Sequence, residues 1–185
     1  MAAQRDRREA YLDKARSELG DLAAAGVVSS GNAFSSVLLV KAEWPFEADG
    51  SSRPPLAGED GVALRAALGA LGYAPEDWMA ISTIGAEGLH LAPELIRRAV
   101  LALDPGTVVV CDGLAAAELG QAFASELSRD DDPDDADPLP PGELVHLLGM
   151  RVLNLDGFAE ALADPREKQR RWHWLKQVRV LGEPF

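Results

Sequence analysis

Apolar positions recur along this chain in two alternating patterns, and the alternation predicts its elements. Over residues 5–25, Tyr11, Leu12, Ala15, Leu19 and Leu22 fall at helical spacing, and Gly26 stops the helix. After a Ser/Gly/Asn stretch comes Ser36-Val-Leu-Leu-Val40, a short unbroken apolar run of the kind buried on both faces of a sheet. Glu59 to Leu71 returns to helical spacing, with Val62, Leu64, Ala67, Leu68 and Leu71 mostly inward and Gly72 as its end. Trp78 to Ile84 reads as a second strand, Pro93 to Leu103 as a helix opened by proline, and Thr107 to Cys111 as a third strand. Asp112-Gly113 leads into a short helix over 114–119, stopped by Gly120. Arg151 to Leu155 is the fourth strand, and Asp164-Pro-Arg166 opens the last helix with Asp164 as its cap.

Two stretches break the pattern. Residues 44–58, rich in Gly, Ser and Pro, read as a long loop, a feature of compact domains that is usually functional or disordered. Residues 128–142 are acidic and Pro-rich and read as a mobile surface loop. The repeated order of strand, loop and helix predicts one domain over 1–185. Its expected architecture is three-layer α/β/α around a central, mostly parallel four-stranded sheet. Sites in such folds lie beyond the carboxyl ends of the strands, which singles out 41–58, 83–92, 111–114 and 155–158.

Composition narrows the class. At 185 residues and 47% hydrophobic the chain can bury a core, and it has no run of about 18 apolar residues to span a membrane. Its N-terminus lacks the apolar stretch of a secretory signal, so a cytoplasmic protein is expected. The single cysteine, Cys111, excludes a disulfide framework and an all-cysteine metal or iron–sulfur site; closing a buried strand, it reads as a small core residue. The three histidines are dispersed. His146, inside an apolar run, reads as partly buried, and no metal or other cofactor is expected.

The net charge is −12, of which residues 129–137, with six Asp and one Arg, carry −5. Such a balance disfavours tight nonspecific duplex binding. The basic residues gather in the first helix, from Arg5 to Arg16, and in or near the last, from Arg166 to Arg179. They supply either a local positive face with weak nucleic-acid contact or ordinary solvated helix faces. Trp172 and Trp174 diverge on the last helix, so one packs inward and the other is left for solvent or a partner.

The segments at the expected carboxyl edge carry a resemblance. Val37-Leu-Leu-Val-Lys-Ala-Glu-Trp-Pro45, Arg53-Pro-Pro-Leu-Ala-Gly58, the strand from Met79 to Ile84, the stretch 96–120, and 152–176 follow one another as do the corresponding motifs of a known family. In this the chain resembles the uracil-DNA glycosylase superfamily, nearest to its iron–sulfur branch, over most of residues 36–180. That family uses a carboxylate or amide on the first loop to orient water, an aromatic ring to stack on a flipped base, an Asn to read the base edge, and a His on the last loop to stabilise the departing anion. On the resemblance, the first-loop position falls on Ala42, with Glu43 and Glu47 as displaced substitutes. The stacking position falls on Pro55 or Leu56, with Trp44 and Phe46 as alternatives. The base-reading position falls on Thr83, and the last-loop position on Asp156 or Gly157, where a carboxylate would repel an anionic leaving group. The cluster cysteines are absent. Replacement at all four positions implies a catalytically inactive relative that acts as a binding module, with a protein partner in a nucleic-acid or DNA-repair context. The alternative is an atypical base-excising hydrolase built on Glu43, Glu47 and Asp156, with Trp44, Phe46, Leu56 and Thr83 around the base.

Overall fold

A computed structural model describes residues 16–127 and 138–180. Within them the chain runs through α1 (16–24), β1 (Ser29–Gly31), β2 (Val37–Lys41), α2 (Glu59–Ala70), β3 (Met79–Ser82), α3 (Pro93–Leu103) and β4 (Thr107–Val110). It continues through α4 (Gly113–Ala122), α5 (Ala124–Leu127), β5 (Leu144–Leu147), β6 (Met150–Asn154), α6 (Phe158–Ala161), α7 (Pro165–Leu175) and a 3₁₀ turn at Lys176–Val178. The protein is α/β, but its sheet has six strands rather than four, in the order β1-β3-β2-β4-β6-β5. The interior pairs β3–β2, β2–β4 and β4–β6 are parallel, whereas β1 and β5 pair antiparallel at the two edges.

Those edge strands were invisible to patterning. β1 is Ser-Ser-Gly, and β5 is only half-buried and shows no strict alternation. His146 lies on β5 with its side chain exposed, not partly buried, because an edge strand keeps one face in water.

Strand periodicity divides the core. Leu38 and Val40 of β2 face one layer with Met79, Ile81, Val108 and Val110, covered by α1, α3 and α4 through Leu22, Ile96, Val100 and Leu119. Val37 and Leu39 face the other with Ala80, Val109 and Leu153, covered by α2, α6 and α7 through Leu64, Leu68, Phe158 and Leu175. β2 and β4, the central pair, are buried along nearly their whole length, which explains their unbroken apolar runs. The helix following β2 crosses one face and the helix following β4 crosses the other, so the gap between these two strands is the switch point of the sheet.

Two expectations for loops change. Residues 45–53 form a small hairpin, closed by an antiparallel bridge between Phe46 and Ser52 and by Arg53 N–H donating to the Pro45 carbonyl at 2.7 Å. Of the acidic stretch 128–142, residues 128–137 lie outside the described residues, as do residues 1–15 and with them the first part of the helix expected over 5–25. The remainder is packed: Leu139 is buried, and Asn154 Nδ2 donates to its carbonyl at 2.8 Å. On α7, Trp174 lies against Gly142 and under the Arg171 guanidinium, 4.5 Å from its ring centroid, while Trp172 is the exposed one.

Candidate functional site

Four loops meet at the carboxyl edge of the parallel strands, and the first of them folds back on itself. Its centre is Glu43. One carboxylate oxygen accepts the Leu56 N–H at 2.8 Å, and the other faces Lys41 Nζ at 3.3 Å and Arg53 Nε at 3.5 Å. The backbone is held as well: Ser82 Oγ donates to the Glu43 carbonyl at 2.8 Å and accepts the Glu43 N–H at 3.2 Å. Lys41, at the end of β2, is half-buried and needs a partner there. It finds Asp60 in the first turn of α2, with Nζ 2.5 Å from Oδ2. Burial pushes the Asp60 carboxyl up, but the hydrogen bond and charge of Lys41 outweigh it and leave the group below its ordinary range. For Lys41, burial pulls down, and the hydrogen bond to Asp60 with the charges of Glu43 and Asp60 raises it above its ordinary value.

Leu56 has left-handed backbone, φ 56°, a conformation that costs a leucine about 1–2 kcal/mol. Three contacts hold it there. Its N–H goes to Glu43, its carbonyl accepts Arg65 Nη1 at 3.0 Å, and its side chain is buried against α2. Gly61 makes the approach possible, since a Cβ at that position would lie 1.8 Å from the Leu56 carbonyl oxygen. The segment 53–58 is thereby clamped onto α2, with Pro55 and Leu56 inside the protein.

The switch-point gap is also closed. Asp112 Oδ2 accepts the Ala42 N–H at 2.9 Å from the loop after β2, while Oδ1 accepts the Ala115 N–H at 2.8 Å and caps α4. Burial raises the Asp112 carboxyl above its ordinary range. Its neighbour Cys111 is buried, as its place in a strand implied, and burial pushes the thiol far above its ordinary value, which leaves it unreactive.

The predicted site residues are therefore distributed unevenly. Glu43, Glu47 and Leu56 come together: Arg53 Nε stands 3.5 Å from both Glu43 and Glu47, and Glu43 holds Leu56. Trp44 and Phe46 meet edge to face, ring centroids 5.7 Å apart, and the Trp44 indole rests on Gly88 with more than half of its surface exposed. Thr83 is 0% exposed, and its hydroxyl finds no hydrogen-bond partner among the described residues. Asp156 lies apart, next to Gly113, with φ 48° and its carbonyl bound by Arg171 Nη2 at 2.6 Å. It borders a groove of about 480 Å³ between α4 and Pro138–Pro141, a groove that none of Glu43, Glu47, Trp44 and Thr83 lines.

Sequence reading did not single out Lys41, Arg53, Asp60 or Asp112. Asp112 had a signal, a carboxylate placed one residue before an apolar helix. A lysine ending a buried apolar strand was a second, since it demands a carboxylate from somewhere else in the chain.

Charge is distributed as unevenly as the side chains. The loops at this edge with the helix turns that follow them, 41–60, 83–92, 111–118 and 155–160, carry ten Asp or Glu against two Lys or Arg, a formal −8. The turns and tail at the opposite edge, 32–36, 71–78, 104–106, 148–151 and 176–180, carry three of each. Among the described residues no group of three or more His, Cys, Asp and Glu is arranged to hold a metal ion, and no helix is long and apolar enough to cross a membrane. No protein-family model matches the chain, and no curated protein does.

Proposed function

We propose that this protein is a divergent relative of the uracil-DNA glycosylases that has given up base excision and works as a binding module in a nucleic-acid or DNA-repair context. The observation that carries the reading is the state of Glu43. A carboxylate that positions water must present a lone pair to an open cavity. Both oxygens of Glu43 are instead engaged inside the loop, by Leu56 N–H, Lys41 and Arg53. Pro55 and Leu56, on the segment expected to cover a base, are folded into the protein, and Thr83 has no exposed atom with which to read one. A formal −8 at this edge also opposes the approach of a phosphate backbone.

The competing reading, an atypical base-excising hydrolase, draws on the exposed indole of Trp44. The two are separated by assaying uracil release from single- and double-stranded DNA. The expected result is no release by the native chain. Release that disappears in Glu43→Gln or Glu47→Gln overturns the proposal.

A further inference from the structure

Three large apolar side chains stand in water at the acidic edge, and three different loops bring them there. Trp44, Leu89 and Leu114 are 55%, 67% and 49% exposed. Two contacts tie their loops together. The Trp44 indole rests on Gly88, which precedes Leu89 in the loop after β3. The next residue, His90, reaches α4 through Nδ1, 2.5 Å from Glu118 Oε1. Glu118 lies one helical turn beyond Leu114 and so shares its face of α4. Backbone pairing fixes the loop geometry, with Gly85 N–H donating to the Leu89 carbonyl and Leu91 N–H to the Thr83 carbonyl, each at 2.8 Å. The exposed apolar groups are thus presented by a framework that is already ordered, which lowers the entropic cost of binding.

Scattered exposed apolar residues need no explanation, but three of them on tied loops at the functional edge of an α/β sheet do. Their surroundings select the occupant. The segments of this edge carry the formal −8, whereas the opposite edge is balanced. Phosphate is repelled by such a field, and a cationic chain is drawn in. An indole and two leucines offer nothing to a purely polar ligand but supply the desolvated centre of a protein interface, with the carboxylates as its rim.

We infer that the surface formed by Trp44, Leu89 and Leu114 docks a basic protein segment that inserts apolar side chains between Lys or Arg residues. This rests on the reading of the carboxyl edge as a binding surface and names the partner's chemistry. The test uses the full chain and three probes: a synthetic amphipathic leucine–lysine helix, a lysine homopeptide of equal charge, and a single-stranded oligonucleotide. Backbone amide shifts and affinities are measured by NMR titration at about 0.1 M salt, where long-range attraction is already screened. The leucine–lysine helix is expected to shift amides within 43–48, 86–90 and 112–118. It should bind about tenfold or more weakly to the Leu89→Ser/Leu114→Ser double variant. Leu148→Ser, which removes an exposed leucine at the opposite edge, should leave the affinity unchanged. Shifts confined to other regions, equal binding by the double variant, or equal binding by the lysine homopeptide each overturn the inference. An oligonucleotide that competes at the same amides overturns it as well. None of these outcomes is uracil release, so the loss of this inference remains distinct from the loss of the proposed function.

Discussion

The carboxylate of Asp112 reaches from the end of β4 to the backbone N–H of Ala42, 2.9 Å away at the end of β2, and closes the gap where the two halves of the sheet diverge. In open α/β sheets that gap is where ligands are held. Here one side chain bridges it and, with its other oxygen, caps the helix that follows.

Removing that bridge has a defined cost. Asp112→Ala loses an N-cap, worth about 1–2 kcal/mol, and leaves the Ala42 N–H without its acceptor. Urea unfolding is expected to show the larger loss for Asp112→Ala and a smaller one for Asp112→Asn, whose amide oxygen still accepts one of the two bonds. Equal stability of Asp112→Ala and the native protein contradicts the bridge.

Thr83 offers the opposite sign. Its hydroxyl is buried without a partner among the described residues, so replacing it by the similarly shaped valine removes an unsatisfied polar group. Thr83→Val should raise the unfolding free energy by about 1 kcal/mol. A destabilised Thr83→Val would mean that the hydroxyl is in use.

Gly61 allows the loop to seat. In Gly61→Ala the new methyl group meets the Leu56 carbonyl oxygen, a backbone atom that cannot swing aside. The expected loss is about 1–3 kcal/mol, the usual range for overpacking. Local opening should accompany it, read as faster hydrogen exchange at the Leu56 amide, whose acceptor is Glu43. Unchanged exchange there would show that residues 53–58 do not depend on this close approach.

The Lys41–Asp60 pair sets a pH dependence. The Asp60 carboxyl is lower in the folded chain than its ordinary 3.8, so its contribution is fully present above that value and is lost as pH falls through the folded-state value. Lys41 is raised above 10.5, so its contribution holds below that value and is lost only as pH climbs past it. Asp112 runs the other way, because its raised carboxyl favours the folded state at low pH rather than at neutrality. The urea midpoint should therefore fall less steeply on acidification in Asp60→Asn than in the native protein. A steeper fall in the variant contradicts the pairing.

The four parallel strands were legible because β2, β3, β4 and β6 are buried on both faces and leave near-continuous apolar runs. α3 was read to the residue, from the proline that opens it to Leu103. β1 and β5 escaped because their pairing supplies what their side chains do not. The hairpin over 45–53 escaped for a related reason, since Gly, Ser and Pro composition announces a turn without saying which backbone groups it will join. At the site, Glu43, Trp44 and Phe46 were visible as residue types, but their partners were not. Lys41, Arg53 and Asp60 lie up to 19 positions apart, and nothing local indicates that they share one cluster.

Sequence alone determined that this chain forms an α/β sheet with its loops of interest at one edge. That follows from local periodicity. Tertiary structure alone decided that Glu43 and Asp112 bind the chain's own backbone, and that the Trp44 indole rests on Gly88 of another loop. A side chain's availability depends on which distant backbone N–H or cation the fold brings within about 3 Å of it, and that distance is set by packing between elements rather than by spacing along the chain.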